Sequence, residues 1–496
     1  MNLKLPPAGE PGAGQRGFAL VMALITVLLF GVIGLYLTLT ATTAVRLSDN
    51  YESHLQARAA ALAGLEHTRS LLKGLSFNDQ LAGPDGGYDP DSAYLAHART
   101  DGYRLPLGWG TARTLDLADP QAALAGIADD GLVNTGRHPG GAGIALIPAI
   151  GVSRSIPLPN GGGERLVSRY LVKVADNSGE AGELALDPQD NPFVDGDGVI
   201  IVRSMGIART LSDYMAGGER RNSVAVFEAR FRRSLTFALE APLVLQGTSV
   251  EAAAVAMFDG SGFLVQGGGS NPGIATLDAA NGSGALTVGQ VEGRLTADQV
   301  GTIQGAGMIP SIRDMTAVVG AHPDKSRLLD AWYVWDFCRR KVQQFADTVF
   351  AGPQNWNATS PVSIGSYDPS LPPSSPDQNP RVTLVEGDLQ IDGDLAGAGL
   401  LVVGGRLAVR GSFRFAGIIL VAGAGEFTCA GVSEISGAVY VAGLGDSGGG
   451  AAWGGVRLTL AENCRLVYDR ALVDMAVSLI PPVRIGFREI TSLIDP

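Results

Sequence analysis

One short segment of the sequence has the residue types of a nucleophilic active site. Gly445-Asp446-Ser447-Gly448-Gly449 matches a box that surrounds reactive serines in hydrolases. A serine nucleophile needs a histidine base that a carboxylate orients. None of the five histidines has the sequence setting of such a base; they are His54, His67, His97, His138 and His322. We therefore interpret the box as a glycine-rich loop between two strands.

A second segment could bind a cation. It places five oxygen donors at short spacing among glycines and a proline, and they are Asp187, Asp190, Asn191, Asp195 and Asp197. Ca²⁺ takes six to eight oxygen ligands, so this loop could hold it, although it lacks the closing Glu of an EF-hand. The same residue types also build ordinary solvated turns. Both interpretations remain open, and Ca²⁺ is the only cofactor that the sequence suggests.

A third group resembles the acid and base pairs of sugar-cleaving enzymes. Its members are Asp388, Asp392 and Asp394 with Arg406, Arg410 and Arg414 nearby. Paired carboxylates hydrolyse glycosidic bonds, but the solvated face of a repeat has the same composition. Phosphate-binding, zinc-protease and dinucleotide-binding motifs do not occur in the sequence. We expect a protein that is not an enzyme.

Three cysteines are too few for a disulfide framework or a four-ligand zinc site. Cys429 and Cys464 share the parity of the apolar residues in their segments, so both are predicted to point into a core. A bond between them requires the segment 443–455 to loop out. Without that loop they would be two separate buried thiols, and both possibilities remain open.

The overall composition favours strands and turns. The 496 residues include 68 glycines, about twice the usual share, and 46% hydrophobic residues, which is ample for a core. The net charge of −12 argues against a nucleic-acid partner, because that function needs a clustered basic face.

The N-terminal part predicts one long helix over 18–75. Residues 18–45 carry no charge and would extend about 42 Å as a helix, enough to cross a bilayer. Lys4 and Arg16 precede this span, which places the N-terminus in the cytoplasm and the rest of the chain outside. Beyond the span an apolar stripe recurs at helical spacing, and we expect it to pack on one face: Leu47, Tyr51, Leu55, Ala59, Leu62 and Leu65.

The residues around Gly17 carry a resemblance to a known family. The run from Gln15 to Val21 resembles the prepilin peptidase site of type IV pilins, and the helix that follows resembles PilX-type minor pilins. The resemblance implies that 1–17 is a leader, that cleavage follows Gly17, and that Phe18 becomes N-methylated. It also implies a bacterial inner-membrane protein that enters a pilus. Its partners would be the prepilin peptidase, major and other minor pilins, the inner-membrane assembly platform and membrane lipid.

Met22 departs from the pattern of most pilins, which have Glu at this position. A carboxylate in lipid is costly unless it is paired, so its loss suits a subunit at the tip or in the priming complex. Tolerated variation is the simpler explanation and stays open. The alternative function is an adhesin or glycan-binding protein on a plain membrane anchor, outside the cytoplasm.

The middle of the chain is predicted to complete a pilin-like unit. The region 76–235 is irregular but contains three strand patterns, at 169–174, 198–203 and 224–231. By the resemblance, these strands form a small antiparallel sheet on the long helix. The predicted fold class is thus mainly β with one long N-terminal α-helix.

The last third has a regular glycine repeat. Glycines recur every six residues from Gly387 to Gly423 and again from Gly431 to Gly443, with apolar residues two and four places later. This pattern predicts a right-handed β-helix (β-solenoid) over 381–496, with turns of about 18 residues, and it is similar to the bactofilin β-helix.

Two further regions precede this repeat. The region 236–320 has weaker repeats and is predicted to form the first coils. The region 321–380 is predicted as an excursion, with a helix over 324–350 and a Pro/Ser-rich linker over 352–380 that cannot hold regular structure. The apolar residues of this predicted helix are available for burial: Leu328, Leu329, Trp332, Phe337, Val342 and Phe345.

Overall fold

The computed structural model describes residues 13–74, 77, 109–115, 155–157, 164–166, 168–177, 198–209, 222–234, 236–251, 256–279, 286–322, 324–357, 362–373, 377–446, 451–461 and 463–490. This part of the chain contains one long N-terminal helix and many strands in parallel and antiparallel sheets. The predicted class, mainly β with one long helix, is confirmed at this level.

The α-helices are α1 (Ala13–Leu71), α2 (Trp109–Thr114), α3 (Val288–Glu292), α4 (Thr316–Ala321), α5 (Ala331–Asp336) and α6 (Arg470–Ser478). The first strands are β1 (Ser155–Pro157), β2 (Glu164–Leu166), β3 (Ser168–Asp176), β4 (Val199–Ala208), β5 (Ser223–Arg232), β6 (Leu243–Gly247), β7 (Ser249–Val250), β8 (Leu264–Gln266), β9 (Ile274–Asp278), β10 (Ile303–Gln304) and β11 (Ile312–Asp314). The later strands are β12 (Thr348–Phe350), β13 (Gln354–Trp356), β14 (Arg381–Val385), β15 (Leu389–Ile391), β16 (Leu395–Val403), β17 (Leu407–Val409), β18 (Phe413–Gly423), β19 (Glu426–Cys429), β20 (Ser433–Asp446), β21 (Ala451–Trp453), β22 (Gly455–Leu460), β23 (Cys464–Val467) and β24 (Val483–Ile490).

Helix α1 begins before the predicted membrane span and ends close to the predicted stop. Its 59 residues extend about 88 Å. Residues 13–17 of the predicted leader continue the same helix. Gly74 follows the last turn with a φ of 78°, a left-handed conformation that glycine adopts without steric cost.

Four antiparallel strands pack on the C-terminal half of α1, and we call this unit the helix–sheet domain. Their order is β24-β5-β4-β3, so the three predicted strands pair as expected. The fourth strand comes from the end of the chain. The range 381–496 was predicted to be β-helix throughout, which is wrong for β24, because Val483 lies opposite Arg232 on β5.

Residues 233–482 are therefore inserted between two neighbouring strands of one sheet. Strand β5 starts beside the middle of α1, where the Ser53 and Ser223 hydroxyls lie 2.6 Å apart. It ends beside the C-terminus of α1, where the Arg233 guanidinium lies over the Phe77 ring. The insertion thus leaves the sheet at the end farthest from residues 18–45.

Within this insertion, residues 236–480 form what we call the parallel-strand domain. It contains two parallel sheets, and successive strands of the chain alternate between them. The second sheet has the order β13-β15-β17-β19-β22-β7. In the first sheet, β14, β16, β18 and β20 are neighbours, and Arg381 pairs with Gly399, Gly399 with Gly417, and Gly417 with Gly437. Successive partners are thus 18, 18 and 20 residues apart, as the glycine spacing predicted.

The strands do not follow the order of the chain along this stack. The chain enters at β6, continues outward to β9 and β11, and then crosses to the opposite end, where β12 pairs with β14. It returns strand by strand until β20 pairs with both β23 and the entry strand β6. The region 236–320 therefore extends the far side of the last repeats instead of preceding the first ones.

The first sheet is buried on both faces. Leu401, Ile419 and Val439 point into the core between the two sheets. Leu400 and Ile418 point outward, where α6 and residues 324–350, here the crossing segment, cover them. Parallel strands with two covered faces have continuous apolar runs. Only the second sheet keeps the predicted alternation of apolar and polar residues.

The crossing segment is not the single helix predicted over 324–350. It contains 3₁₀ turns at Lys325–Leu329 and Val342–Gln344, helix α5, and a π-helix at Phe337–Lys341. Asp330 interrupts the helical path, because its extended backbone lets its side chain accept a hydrogen bond from the Trp332 backbone N–H as an N-cap.

The predicted linker over 352–380 also has regular structure. Strand β13 extends the second sheet, and Ile364 forms a parallel bridge with Gly397. Trp356 and Ile364 are buried in the core between the sheets. These two apolar side chains anchor a segment whose Pro and Ser content suggested none.

Candidate functional site

Small residues bring α1 into close contact with the antiparallel sheet. Gly206 on β4 lies so near α1 that a Cβ there would lie 1.9 Å from the Ala57 carbonyl oxygen and 2.5 Å from the Ala61 nitrogen. Gly64 is similarly confined, since its Cβ would lie 2.9 Å from Tyr170. The buried face of α1 therefore consists of residues with little or no side chain.

The predicted apolar stripe of α1 lies on a different face and is largely exposed. Leu47, Tyr51 and Leu55 are 65%, 66% and 46% exposed, and Leu62 is 39% exposed. The expectation that this stripe packs on the protein was wrong for these residues; of the stripe, Leu65 is buried. Leucine and tyrosine are too large for the narrow gap at Gly206, so alanine and glycine occupy it instead.

The exposed stripe continues from a segment that could cross a membrane. Among the described residues, α1 is the one helix that is long and apolar enough to span a bilayer, with a mean hydropathy of 2.7 over its most apolar window. A membrane anchor and a signal sequence share this property. The stripe begins at Leu47, two residues beyond the uncharged run 18–45.

Strand β24 forms the edge of the sheet beside this stripe. Arg58 of α1 pairs with Glu489 at 3.1 Å, and Glu66 pairs with Arg484 at 3.2 Å. Arg58 lies three residues after Leu55 and four before Leu62, so all three share one side of the helix. The apolar stripe and the edge strand thus lie on the same side of the helix–sheet domain.

The edge strand also exposes apolar side chains. Ile485 and Phe487 are about half exposed, and the Phe487 ring stacks on Phe227 at 5.1 Å. In the described part of the chain, β24 pairs only with β5. The helix stripe and the strand edge together expose six apolar side chains, which we call the assembly surface: Leu47, Tyr51, Leu55, Leu62, Ile485 and Phe487.

An ion triad around a buried carboxylate connects the edge strand to the sheet. Glu228 accepts hydrogen bonds from Arg203 and Arg488, each at 2.7 Å. Burial opposes ionisation of Glu228, but the hydrogen bonds and charges of the two arginines outweigh it, so its pKa lies below the usual value. Glu228 is therefore a carboxylate that helps to hold β24 on β5.

The predicted processing residues lie on α1. Gly17 is within the helix, Phe18 is 69% exposed, and Met22 is about half exposed. The five predicted calcium ligands, Asp187, Asp190, Asn191, Asp195 and Asp197, lie outside the described residues. Among the described residues, no cluster of three or more His, Cys, Asp or Glu side chains could hold a metal ion.

Cys429 and Cys464 form a disulfide, with their Cα atoms 6.1 Å apart. The required excursion is present, because β20 and β21 form a hairpin in which Leu444 pairs with Trp453. Cys429 pairs across the second sheet with Leu460, one step along the stack. Cys338 is a buried free thiol, and burial raises its pKa to about 12.

The other candidate groups do not assemble into a site within the described residues. Asp388 pairs with Arg406 at 3.3 Å, Arg406 also contacts Glu426, and Arg457 contacts both Glu426 and Glu251. These residues form a ladder of alternating charge along the stack. Of the serine box, Gly445 and Asp446 end strand β20, and Ser447 lies outside the described residues.

Sequence reasoning missed one exposed group. Trp332 was expected to be buried with Leu328, Phe337 and Val342, but it is 46% exposed while those three are buried. A clue was present in the sequence, because three consecutive cations follow the tryptophans at 339–341. A face that ends in Arg-Arg-Lys is more often solvated than buried.

The comparisons with known proteins give no family. No protein-family model, no curated protein and no solved structure matches the chain.

Proposed function

We propose that the chain is a minor, pilin-like structural subunit of a type IV pilus or a related assembly, located at the tip or in the priming complex. It would insert in the bacterial inner membrane through residues 18–45, with the bulk of the chain outside the cytoplasm. The observation that carries the proposal is the exposed assembly surface, which continues the apolar span of α1 into the folded domain.

The physical argument concerns the cost of exposed apolar area. Soluble monomers rarely keep a large contiguous apolar patch, and such patches are usually interaction sites. Leu47, Tyr51, Leu55 and Leu62 recur on one side of a helix, which is the pattern that packs against a second helix. Neighbouring subunits that present the same kind of helix are therefore the partners of this surface.

The position of the insertion supports a terminal location. The parallel-strand domain leaves the sheet at Arg232 and Val483, at the end of the helix–sheet domain away from the apolar span. A large domain at that end would obstruct a further subunit stacked on it. Met22, which lacks the carboxylate of most pilins, agrees with a subunit that has none ahead of it.

We further propose that the parallel-strand domain is a β-helix. Its two sheets contain parallel strands with partners 18 to 20 residues apart, which is the spacing expected when each turn of a solenoid stacks on the previous one. In this proposal β6 and β23 share one turn, so the two ends of the insertion meet inside the stack.

The test is the mature N-terminus of the protein expressed with a prepilin peptidase. We expect mass spectrometry to find a chain that begins at methylated Phe18, and we expect Gly17→Val to block processing. Gly14→Val in the same leader is the matched control and should be processed normally. A mature protein that retains Met1, or that begins after residue 40, would contradict the proposal.

A further inference from the structure

An aromatic and basic cluster lies on the crossing segment of the parallel-strand domain. Residues 325–341 contain five cationic side chains and two carboxylates, a net charge of +3 in a chain of net charge −12. Trp332, Tyr333 and Trp335 lie among these cations, and Trp332 is 46% exposed.

Trp332 packs against Trp335 and Arg340 and still keeps about half of its surface exposed. The Trp332 and Trp335 rings stack with centroids 5.1 Å apart. The Arg340 guanidinium lies 5.7 Å from the first centroid and 5.3 Å from the second. These three nearly equal distances place the guanidinium beside the ring pair, because a group on the outer face of either ring would be much farther from the other ring.

The segment that carries the cluster is anchored by the core beneath it. Val334 and Phe337 are buried against the outer face of the first sheet. Asp336 pairs with Lys341 at 3.3 Å and with Arg340 at 4.0 Å, and the Arg339 guanidinium donates to the Gly404 carbonyl oxygen at 2.9 Å. Side chains that are fixed before binding lose little conformational entropy when a ligand arrives.

We propose that Trp332, Trp335, Arg340 and Lys341 bind an acidic polysaccharide. The polarised C–H bonds of a pyranose ring pack on the electron-rich face of tryptophan. A guanidinium beside that face can donate two hydrogen bonds to a sugar carboxylate. The exposed part of Trp332 and the adjacent Arg340 provide both contacts, and Lys341, which lies 4.9 Å from the Tyr333 ring, adds a second cation to the cluster.

Two other anionic partners fit the observations less well. A nucleic acid would need many phosphate contacts for useful affinity at physiological salt, and this cluster offers few cations. The membrane surface is also distant, because α1 continues 26 residues beyond Val45, about 39 Å, before the insertion begins. Screening at physiological salt acts over about 8 Å.

The proposal does not depend on the pilin-like function, because it needs neither processing nor assembly. Binding is measured by titration calorimetry on the purified full-length protein in detergent, with polygalacturonate as the acidic probe and dextran as the neutral control. We expect polygalacturonate to bind and dextran to bind at least tenfold more weakly. Trp332→Ala should weaken polygalacturonate binding about tenfold, and Arg340→Gln should reduce the preference for the acidic polymer.

Matched controls remove the same chemistry elsewhere on the surface. Val432→Ala removes exposed apolar surface just before β20, and Arg414→Gln removes an exposed cation from β18, so both should bind as the wild type does. Circular dichroism checks that each variant is folded. No binding by the wild type, equal binding of the two polymers, or an unchanged Trp332→Ala variant would overturn the proposal. So would tighter binding to a single-stranded oligonucleotide or to anionic vesicles.

Discussion

The helix–sheet domain and the parallel-strand domain achieve close packing in different ways. In the helix–sheet domain, α1 approaches β4 through single small residues, and Gly206 contacts the backbone at Ala57 and Ala61. In the parallel-strand domain, aliphatic side chains repeat at the same place on successive strands, as in the column of Leu401, Ile419 and Val439. The first arrangement depends on individual positions, and the second depends on a repeated pattern.

This difference explains what each domain reveals in its sequence. The parallel strands can be predicted from a single sequence because each of them repeats the same spacing of glycine and apolar residues. A contact that depends on glycine or alanine adds no large apolar residue to the sequence pattern. The larger residues of the same helix therefore dominate the pattern. Leu47, Tyr51 and Leu55 form the more prominent stripe of α1, yet they face away from the sheet.

The largest expected effect comes from adding one methyl group in the helix–sheet domain. In Gly206→Ala the new Cβ meets backbone atoms of α1, which cannot rotate away as a flexible side chain can. We expect a loss of at least about 3 kcal/mol in the unfolding free energy, at the upper end of overpacking effects. Hydrogen exchange should become faster in α1 and in β3 to β5 than in the parallel sheets.

A matched substitution in the parallel-strand domain is the control. Gly269→Ala places its Cβ in open space, with no atom within 4 Å, and should change stability by less than about 0.5 kcal/mol. Equal effects of the two substitutions would mean that the close approach of α1 to β4 is not as described.

The second largest effect concerns the disulfide of the parallel-strand domain. Cys429 and Cys464 close a loop across a sequence separation of 35 residues. The loss of such a constraint costs about 3 to 4 kcal/mol, so Cys464→Ser should lower the thermal midpoint strongly. Cys429→Ser should have the same effect, and the double variant should add little, because either change breaks the same bond.

Cys338→Ala is the control for this prediction. Its thiol is buried and unpaired, so this variant should keep the dependence of the midpoint on a reducing agent, whereas Cys464→Ser should lose it. Fully additive effects of the two serine substitutions would contradict a bond between these cysteines.

The sequence predicted the 18-residue spacing of the paired parallel strands and the antiparallel strands, since glycine spacing and alternation are local signals. It did not predict the order of strands in this sheet, because the pairing of β6 with β20 joins residues that are 196 positions apart, such as Leu243 and Val439. It also did not predict that β24 returns to the first sheet. Nothing in the local pattern at 483–490 distinguishes that partner from another turn of the repeat.

For the candidate site, the prediction identified the right helix and assigned the wrong face to the stripe. The cysteine pair was recognised as possible because parity and the glycine-rich excursion are both visible in the sequence. The exposure of Trp332 was not predicted, because Asp330 interrupts the helix and changes which residues face the sheet.

An intermediate effect is expected at the ion triad of the helix–sheet domain. Glu228 is nearly inaccessible to solvent, so Glu228→Gln removes a buried carboxylate that pairs with both Arg203 and Arg488. We expect a loss of about 3 kcal/mol at pH 7. The pKa of Glu228 is lowered in the folded state, so its contribution is complete above the unfolded value of about 4.3 and declines as the pH falls through the folded value.

The pH dependence separates this role from a general loss of packing. The difference in stability between the wild type and Glu228→Gln should shrink below pH 4, since a protonated Glu228 resembles glutamine. Glu434→Gln, an exposed change on β20, should leave the unfolding curve unchanged at every pH. A constant difference between the wild type and Glu228→Gln from pH 7 to pH 3 would contradict the assigned ionisation.

The smallest effect is expected at the charge ladder of the parallel-strand domain, which joins the returning strand β22 to the entry strand β7 and its neighbour Glu251. Arg457 contacts Glu251 at 2.7 Å and Glu426 at 3.6 Å, but all three side chains are partly exposed. Because solvent screens such pairs, Arg457→Glu should cost no more than about 1 kcal/mol, and 1 M NaCl should reduce the cost further. Arg465→Gln, an exposed change on β23, is the control and should be nearly neutral. A loss well above 1 kcal/mol that 1 M NaCl abolishes would mean that the two ends of the insertion are joined mainly by these charges instead of by the buried side chains beneath them.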